Sequence, residues 1–216
     1  EQVTAAWETE NGELAAVLHP FGNDEIRLHI HPRLRSPELE DEIFAYAEQH
    51  FSKEIENGKC IIAPVFADDC LRQEVLTRRG FTKRPGWNHH YRRDLTAPLP
   101  VSPTPGGYHI RSMGDENEHP SRSWWSWRAF HSDEPESNYD GDYSWYRNIQ
   151  SAPLYRRDLD IVAAAPDGSI AAFCTIYYDD YTRSAVTVLV GVAAEHWRRR
   201  LGKAVVIEGM RRLKHL

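Results

Sequence analysis

Alternating hydrophobic and polar residues predict three strands near the start of the chain. Residues 3–7 and 14–18 are two short apolar stretches. Asn11 and Gly12 lie between them and favour the tight turn of a hairpin. Residues 25–31 then alternate apolar and polar side chains, which is the period of a half-buried strand. The chain is therefore predicted to begin with a hairpin and a third strand.

From Ser36 the hydrophobic spacing becomes that of a helix. Ser36 can cap a helix that begins at Pro37, and apolar residues then recur every three or four positions, at Leu39, Ile43, Ala47 and Phe51. Residues 68–79 form a second helical stretch that Gly80 can end, because glycine tolerates a left-handed backbone. Two further strands are predicted, a buried one at residues 60–66 and a last one at residues 87–94.

The second half of the chain predicts the order strand, helix, helix, three strands, helix. A turn at Pro166, Asp167 and Gly168 separates two apolar stretches and indicates a hairpin. The last strand is a continuous apolar run, as expected where both faces of a strand are covered. The predicted elements are residues 108–112, 120–131, 142–150, 160–165, 169–178, 184–192 and 201–215.

Between the two halves, prolines recur without hydrophobic periodicity. Such a segment favours an extended, semi-rigid connector. A length of 216 residues fits one large domain or two small ones. We therefore predict a first unit at residues 1–95, a proline-rich linker at residues 96–106 and a second unit at residues 107–216.

The composition is that of a globular protein with an acidic balance. Hydrophobic residues make up 41% of the chain and charged residues 27%, and the formal net charge is −6, so a general attraction to nucleic acid or to an anionic membrane is not expected. No apolar run approaches the roughly 20 residues that span a bilayer, and the first residues lack a signal-peptide pattern. The widely spaced Cys60, Cys70 and Cys174 are expected to be reduced. We predict a cytoplasmic protein.

Basic side chains crowd the point where the last strand passes into the last helix. The start of a helix exposes unpaired backbone N–H groups and carries partial positive charge. Small residues at Gly202 and Ala204 would let a phosphate approach these groups. A solvated basic turn is the alternative interpretation. The cations are Arg198, Arg199, Arg200 and Lys203.

Residues 199–204 read Arg-Arg-Leu-Gly-Lys-Ala and match the pattern Arg/Gln-x-x-Gly-x-Gly/Ala. Here the chain resembles the GNAT superfamily of acyltransferases, in topology over the second unit and in motif over residues 192–213. A second register, counted from the strand, places Trp197 at the family's Arg or Gln and Arg200 at its first glycine. In that register Gly202 is the second glycine, and Ala194 replaces the family's proline.

The resemblance implies an N-acetyltransferase that takes acetyl from acetyl-CoA and passes it to the amine of a small molecule. The strand end would offer backbone hydrogen bonds to the pantetheine arm, and the loop would hold the pyrophosphate. The amine, deprotonated by a carboxylate or through water, would attack the thioester directly. Glu195 lies near the loop, but no catalytic residue is assigned. The implied cofactor-binding residues are Val190, Val192, Arg198, Arg199, Arg200, Leu201, Gly202, Lys203 and Ala204.

The first unit is similar to the second half of a GNAT fold. Residues 76–81 resemble the family segment in which a Tyr before Gly-Phe acts as general acid, but Leu76 stands in place of that Tyr. Residues 32–36 replace the glycine-bearing phosphate loop. The resemblance implies a tandem GNAT protein with a degenerate, structural first unit. The fold class implied for the whole chain is α/β (α+β), with a mixed, mostly antiparallel sheet flanked by helices.

Each predicted unit covers only part of a GNAT fold. The first lacks the initial strand and two helices, and the second stops before the last strands and helix. We therefore expect the natural protein to extend at both ends, or two partial units to complete each other. Completion could occur within the chain or between chains, as in a homodimer.

Other functions remain open from the sequence. The chain could be a non-catalytic acyl-CoA-binding or regulatory module, or a structural pseudo-GNAT that binds no nucleotide. His29 and His31 share one face of a strand, but no third ligand follows at a convincing spacing, so no metal is predicted. The rings between Trp124 and Tyr146 could pack two helices or bind an amine. In the second case they would act with Asp133, Glu134, Glu136 and Asp140.

Overall fold

The computed structural model describes residues 4–22, 24–56 and 58–216. Its internal contacts separate the chain into two compact units, Glu1–His89 and His90–Leu216. Each unit has a hydrophobic core of its own. The predicted linker at residues 96–106 contains no helix or strand and falls within the second unit. None of the helices in the described residues combines the length and the apolar character that crossing a membrane requires.

The first unit is built on an antiparallel sheet in the order β1-β2-β3, with a separate small hairpin. Gly12, between the first two strands, has a φ of 77°, the left-handed backbone that favours glycine. The first three predicted strands are confirmed, and Val3 lies outside the described residues. The strands are β1 (Ala5–Glu8), β2 (Leu14–Phe21), β3 (Glu25–Ile30), β4 (Lys53–Ile55) and β5 (Gly58–Cys60).

Two helices, α1 (Pro37–His50) and α2 (Cys70–Arg78), share one core with this sheet. Ser36 caps α1 and Asp69 caps α2, each through a side-chain oxygen that accepts a backbone N–H at 3.1 Å. Gly80 follows α2 with a φ of 86°, so the helix ends where the sequence predicts. Both predicted helices of the first unit are confirmed.

Two predicted strands of the first unit are wrong. Of residues 60–66, only Cys60 lies in a strand, at the end of β5. Residues 87–94 form no strand, and Trp87 is 79% exposed. The first segment meets the sheet only at Ile62, which forms an isolated parallel bridge with Glu25 of β3; a single bridge of this kind does not extend into a strand, because a strand needs continuous pairing with a neighbour.

The second unit contains a four-stranded antiparallel sheet in the order β6-β7-β8-β9. Gly168, with a φ of 85°, makes the turn between β7 and β8. All seven predicted elements of this unit are present, with ends shifted by a few residues. They are β6 (His109–Ser112), α3 (His119–Phe130), α4 (Ser144–Ser151), β7 (Tyr155–Ala164), β8 (Ile170–Asp179), β9 (Ser184–Val192) and α5 (Leu201–Leu213).

This sheet separates α5 from the pair α3 and α4. Successive strand residues point to opposite faces. Ile161 and Cys174 therefore lie on one face, in a cluster with Val205 of α5. Val162 and Phe173 lie on the other face, in a cluster with residues of α3 and α4. The predicted fold class, a mostly antiparallel sheet flanked by helices, is confirmed.

The expectation that the last strand is covered on both faces is wrong. In the described sheet, β9 is an edge strand whose partner is β8. Val186 is 58% exposed, Val188 39% and Val190 38%. The apolar run therefore predicts a strand correctly but does not distinguish a central strand from an edge strand. The difference depends on neighbouring strands that are distant in the sequence.

Candidate functional site

The chain passes from β9 to α5 through a short loop. A 3-10 turn, Ala194–His196, follows the strand, and α5 begins at Leu201. The first hydrogen bond of the helix runs from the N–H of Ala204 to the carbonyl oxygen of Arg200, at 3.1 Å. No side chain of the described residues caps this helix start. The N–H groups of residues 201–203 therefore have no capping side chain.

Two arginines of the loop have a left-handed backbone. Arg198 has a φ of 60° and Arg200 a φ of 62°. Glycine adopts this conformation without steric cost, whereas other residues are strained there. Position 200 thus has the backbone that a glycine would take, which agrees with the register counted from the strand.

The four basic side chains of the loop are exposed. Within residues 4–22, 24–56 and 58–216, no salt bridge involves any of them. Elsewhere in the same unit, arginines pair with carboxylates, as Arg128 does with Glu195. Arg199, Arg200 and Lys203 line a cavity of about 250 Å³ whose other wall is formed by residues 101–105. The loop therefore concentrates positive charge, without a salt bridge to the described part of the chain, beside a proline-rich wall.

The small residues at the helix start have different surroundings. A Cβ atom at Gly202 would lie 3.2 Å from Cγ2 of Val192, so glycine lets the helix start lie against the strand end. Ala204 is 2% exposed and packs inward. Val190, by contrast, is 38% exposed. The structure thus brings two groups of predicted site residues together, those at the end of β9 and those at the start of α5.

Trp197 links the loop to the strand. Its Nε1 atom donates a hydrogen bond of 2.8 Å to the carbonyl oxygen of Val192, although the residue is 52% exposed. No sequence pattern indicates this bond, because the position of the Val192 carbonyl relative to the indole ring depends on the folded loop. The bond holds the residues between strand and helix in one conformation.

Neither a protein-family model nor a curated protein sequence matches the chain. Solved structures do match its fold. They include a GCN5-related N-acetyltransferase from Sphaerobacter thermophilus, with a TM-score of 0.62 and 16% identity over 97% of this chain and 68% of that one. A tandem GNAT protein from the clavulanic acid biosynthesis pathway matches with a TM-score of 0.54 and 14% identity, over 99% of this chain and 71% of that one. The chain has a GNAT fold.

A third GNAT structure matches as well. It is the glucosamine N-acetyltransferase region of a fungal multi-domain GH3 β-N-acetylglucosaminidase, with a TM-score of 0.57 and 16% identity over 99% of this chain and 29% of that one. The resemblance drawn from the loop residues is thus confirmed for the fold. Identities this low leave the activity and the substrate to be argued from the site.

Beside the loop between β9 and α5, Glu195 forms a salt bridge with Arg128 of α3. One of its carboxylate oxygens accepts a hydrogen bond of 2.8 Å from Arg128. Burial would raise the pKa of this carboxyl, but the hydrogen bond and the charge of Arg128 outweigh burial and lower the pKa. An ion-paired carboxylate of lowered pKa is a weak proton acceptor. Glu195 is therefore a poor candidate for a general base.

A buried polar network lies between the sheet and the helices α3 and α4. Asp160 is fully buried and accepts hydrogen bonds from the hydroxyls of Tyr146, Tyr155 and Thr175. Burial, followed by the charge of Asp160, raises the pKa of Tyr155 to about 12. Arg122 is also fully buried. Sequence reasoning missed this network, although an aspartate inside the apolar run of β7 was a visible sign of it.

The aromatic stretch separates into two groups. Tyr146 is buried in a core cluster with Trp125 and Trp145 packed against it. Trp124 and Trp127 stack with ring centroids 5.7 Å apart, on the face of α3 opposite the one that contacts the sheet. The first group packs helices. The second group also contacts Tyr139. The segment that contains Tyr139 carries exposed acidic side chains at Asp133, Glu134, Glu136 and Asp140.

In the first unit, two positions that the sequence comparison singled out, Leu76 and Arg35, have structural surroundings. Leu76, in the position of the family's Tyr, is 6% exposed and belongs to the core. Arg35, in the segment that replaces the phosphate loop, forms salt bridges with Glu40 and Asp69. Its charge is thus neutralised inside the unit. In the described part of the chain, no three His, Cys, Asp or Glu side chains are grouped so that they could hold a metal ion.

Proposed function

We propose that the chain is an N-acetyltransferase that moves acetyl from acetyl-CoA to the amine of a small molecule. The observation that carries this proposal is the start of α5. There, backbone N–H groups without a capping side chain lie among exposed cations that form no salt bridge with the described residues. Such a helix start attracts a diphosphate through its amides and its charge together. The GNAT fold supports the same conclusion.

In this proposal the cofactor lies across the strand end and the helix start. Residues 198–204 hold the pyrophosphate, with Arg198, Arg199, Arg200 and Lys203 supplying charge and residues 201–203 supplying N–H groups. The backbone near Val190 and Val192 holds the pantetheine arm. The thioester of acetyl-CoA supplies the activated acetyl group. Binding both substrates side by side is the main contribution of the protein.

The reaction is direct attack of the acceptor amine on the thioester carbonyl. The new bond joins the amine nitrogen to the acetyl carbon, and the bond to the CoA sulfur breaks. The amine proton leaves through water or a carboxylate, and the sulfur leaves as a thiolate that takes up a proton. Since Glu195 is held by Arg128, water is the proton acceptor that we favour.

A second candidate is a non-catalytic acyl-CoA-binding or regulatory module. The observation that favours it is the backbone strain at Arg200, where a long side chain stands at the position of a glycine. Such a side chain could narrow the space that a diphosphate needs. The third candidate, a structural pseudo-GNAT, binds no nucleotide.

The remaining features follow from the acetyltransferase proposal. We infer that the first unit is a degenerate GNAT unit with a structural role. The protein would then be a tandem GNAT protein, either as a single chain or as a homodimer. Its partner is a small amine, with no nucleic acid and no membrane. Cys60, Cys70 and Cys174 are free thiols, which fits the reducing cytoplasm where we place the enzyme.

Two measurements on the same protein separate these functions. Calorimetry with acetyl-CoA tests for binding, and a dissociation constant weaker than about 1 mM would leave only the structural pseudo-GNAT. Thiol release with a panel of amines tests for transfer. Binding without amine-dependent thiol release would support the regulatory module, and release that depends on one class of amine would support the acetyltransferase.

A matched pair of variants connects binding to the loop. In Lys203→Ala a cation of the helix start is removed, and we expect acetyl-CoA binding to weaken by roughly tenfold, as for loss of one charged hydrogen bond. In Arg211→Ala a cation near the other end of α5 is removed, one that already pairs with Glu208. This control should bind acetyl-CoA as the unmodified protein does.

A further inference from the structure

Arg122 of α3 is buried without a full set of hydrogen-bond partners. It is 0% exposed, and its one side-chain hydrogen bond within the described residues is a long one of 3.4 Å, from Nη2 to the Thr175 hydroxyl. Nε and Nη1 have no partner in that part of the chain. Burying a cation with unfilled donors destabilises a fold. The presence of Arg122 here calls for a role that an apolar side chain could not fill.

The Arg122 guanidinium also lies over an aromatic ring. Its central carbon lies 3.7 Å from the centroid of the Phe173 ring, well within the range of a cation–π interaction. Phe130 meets the same ring with centroids 6.1 Å apart and planes inclined by 66°. Two side chains of α3, the guanidinium of Arg122 and the ring of Phe130, therefore contact the Phe173 ring.

Phe173 in turn lies against the backbone of the last strand. Phe173 and Gly191 are paired residues of β8 and β9. A Cβ atom at Gly191 would lie 2.3 Å from Cζ of Phe173, closer than any real carbon contact. Only glycine lets the ring lie this near to β9. The ring therefore sets the position of the strand at Gly191.

We propose that Arg122 is a positioning residue that fixes the end of β9, by stacking on Phe173, in the place where the pantetheine arm binds. This inference rests on the proposed function, since Gly191 stands between Val190 and Val192, which we expect to contact that arm. The Thr175 hydroxyl donates to Asp160 at 2.8 Å and accepts from Arg122. In the part of the chain that the structure describes, the Thr175 hydroxyl is thus the only group that links the Asp160 carboxylate to Arg122 by hydrogen bonds. The negative charge of Asp160 favours the charged form of the guanidinium.

Two ligands distinguish binding at the strand end from binding at the loop. Acetyl-CoA uses both the strand end and the loop, whereas 3′-phosphoadenosine 5′-diphosphate keeps the pyrophosphate but has no pantetheine arm. In Arg122→Met, of similar length but without the flat cation, acetyl-CoA binding should weaken by about tenfold. Binding of 3′-phosphoadenosine 5′-diphosphate should be unchanged. In Arg122→Lys, which keeps the charge but not the planar stack, acetyl-CoA binding should be partly restored.

A second set of variants tests the contact between Phe173 and β9, on which the inference also depends, without removing the buried charge. Gly191→Ala should weaken acetyl-CoA binding, because the added Cβ displaces Phe173. The double variant Gly191→Ala/Phe173→Leu should recover part of the loss, since the smaller side chain leaves room for the methyl group. This set keeps the inference testable if Arg122→Met does not fold.

Calorimetry with both ligands gives distinct outcomes. Selective loss of acetyl-CoA binding in Arg122→Met and recovery in the double variant support the inference. Equal losses for both ligands, or no loss for either, overturn it and leave the proposed function standing. A failure of the unmodified protein to bind either ligand overturns the proposed function, and this inference with it.

Discussion

The Nε1 atom of Trp197 lies 2.8 Å from the carbonyl oxygen of Val192 and donates a hydrogen bond to it. Trp197 follows the 3-10 turn after β9, and Val192 is the last residue of β9. The bond thus closes the short loop that leads to α5. It fixes where the loop begins relative to the strand that is proposed to hold the pantetheine arm.

Trp197→Phe removes this bond and keeps an aromatic ring. We expect the free energy of unfolding to fall by about 1 kcal/mol, as for loss of one hydrogen bond, and acetyl-CoA binding to weaken. Urea unfolding and calorimetry measure the two effects. Trp87→Phe, at a 79% exposed position, is the control that should change neither. Equal behaviour of the two variants would contradict a role for the Trp197 bond.

Arg200→Gly tests the left-handed backbone at the helix start. With a φ of 62°, an L-residue there bears a strain of about 1–2 kcal/mol, which glycine relieves at an entropic cost of about 0.5–1 kcal/mol. We expect the variant to be more stable by up to about 1 kcal/mol in urea unfolding. Arg199→Gly, outside the positive-φ residues, should instead lose stability. A loss in both variants would show that position 200 is not strained.

Asp160→Asn tests the buried network. The carboxylate accepts three hydroxyl hydrogen bonds, and its removal leaves the buried Arg122 without a nearby negative charge. We expect a loss of about 3 kcal/mol or more in the free energy of unfolding. Asp158→Asn, two residues earlier, affects a carboxylate that is 53% exposed and pairs with Arg156, so its cost should stay below about 1 kcal/mol. Similar costs would argue against the network.

The salt bridge between Arg128 and Glu195 predicts a pH dependence of stability. Burial raises the pKa of Glu195, but the hydrogen bond from Arg128, a backbone hydrogen bond and the charge of Arg128 together outweigh burial and lower the folded-state pKa. The pair therefore stabilises the fold above the unfolded-state pKa of about 4.3, and this stabilisation is lost as pH falls through the folded-state value. Glu195 is 43% exposed, so the effect is about 0.2–1 kcal/mol.

Comparison of Glu195→Gln with the unmodified protein measures that contribution. The variant should be slightly less stable at pH 7, and the difference should shrink as the pH falls through the folded-state pKa and the carboxylate of the unmodified protein takes up a proton. Unfolding curves at pH 7 and at a series of lower pH values provide the test. A difference that persists or grows at acid pH would mean that the charge of Glu195 does not stabilise the fold.

Local signals were enough to predict much of this fold. The caps at Ser36 and Asp69 act within three residues of themselves, and the turns at Gly12 and Gly168 need only their own backbone freedom. The strand-to-helix junction before Leu201 was predicted for the same reason. Each of these features depends on a few consecutive residues, so the sequence pattern contains it.

Features that depend on distant residues could not be predicted. The exposure of Val188 follows from the edge position of β9, which no pattern within the strand reveals. Arg122 and Asp160 lie 38 residues apart in sequence and are brought together through Thr175. The cations of the loop are consecutive or nearly so, and the sequence alone therefore predicts that they lie together. The hydrogen bond of Trp197 depends on where the folded loop places the Val192 carbonyl oxygen.

The most direct test of the proposed cofactor site is the behaviour of the backbone amides of Leu201, Gly202 and Lys203 in a nuclear magnetic resonance titration with acetyl-CoA. A diphosphate that accepts hydrogen bonds from these groups should shift their proton resonances downfield, more than those of any amide in the first unit. The shifts should saturate together with calorimetric binding. If acetyl-CoA binds while these three resonances stay unmoved, the helix start is not the pyrophosphate site.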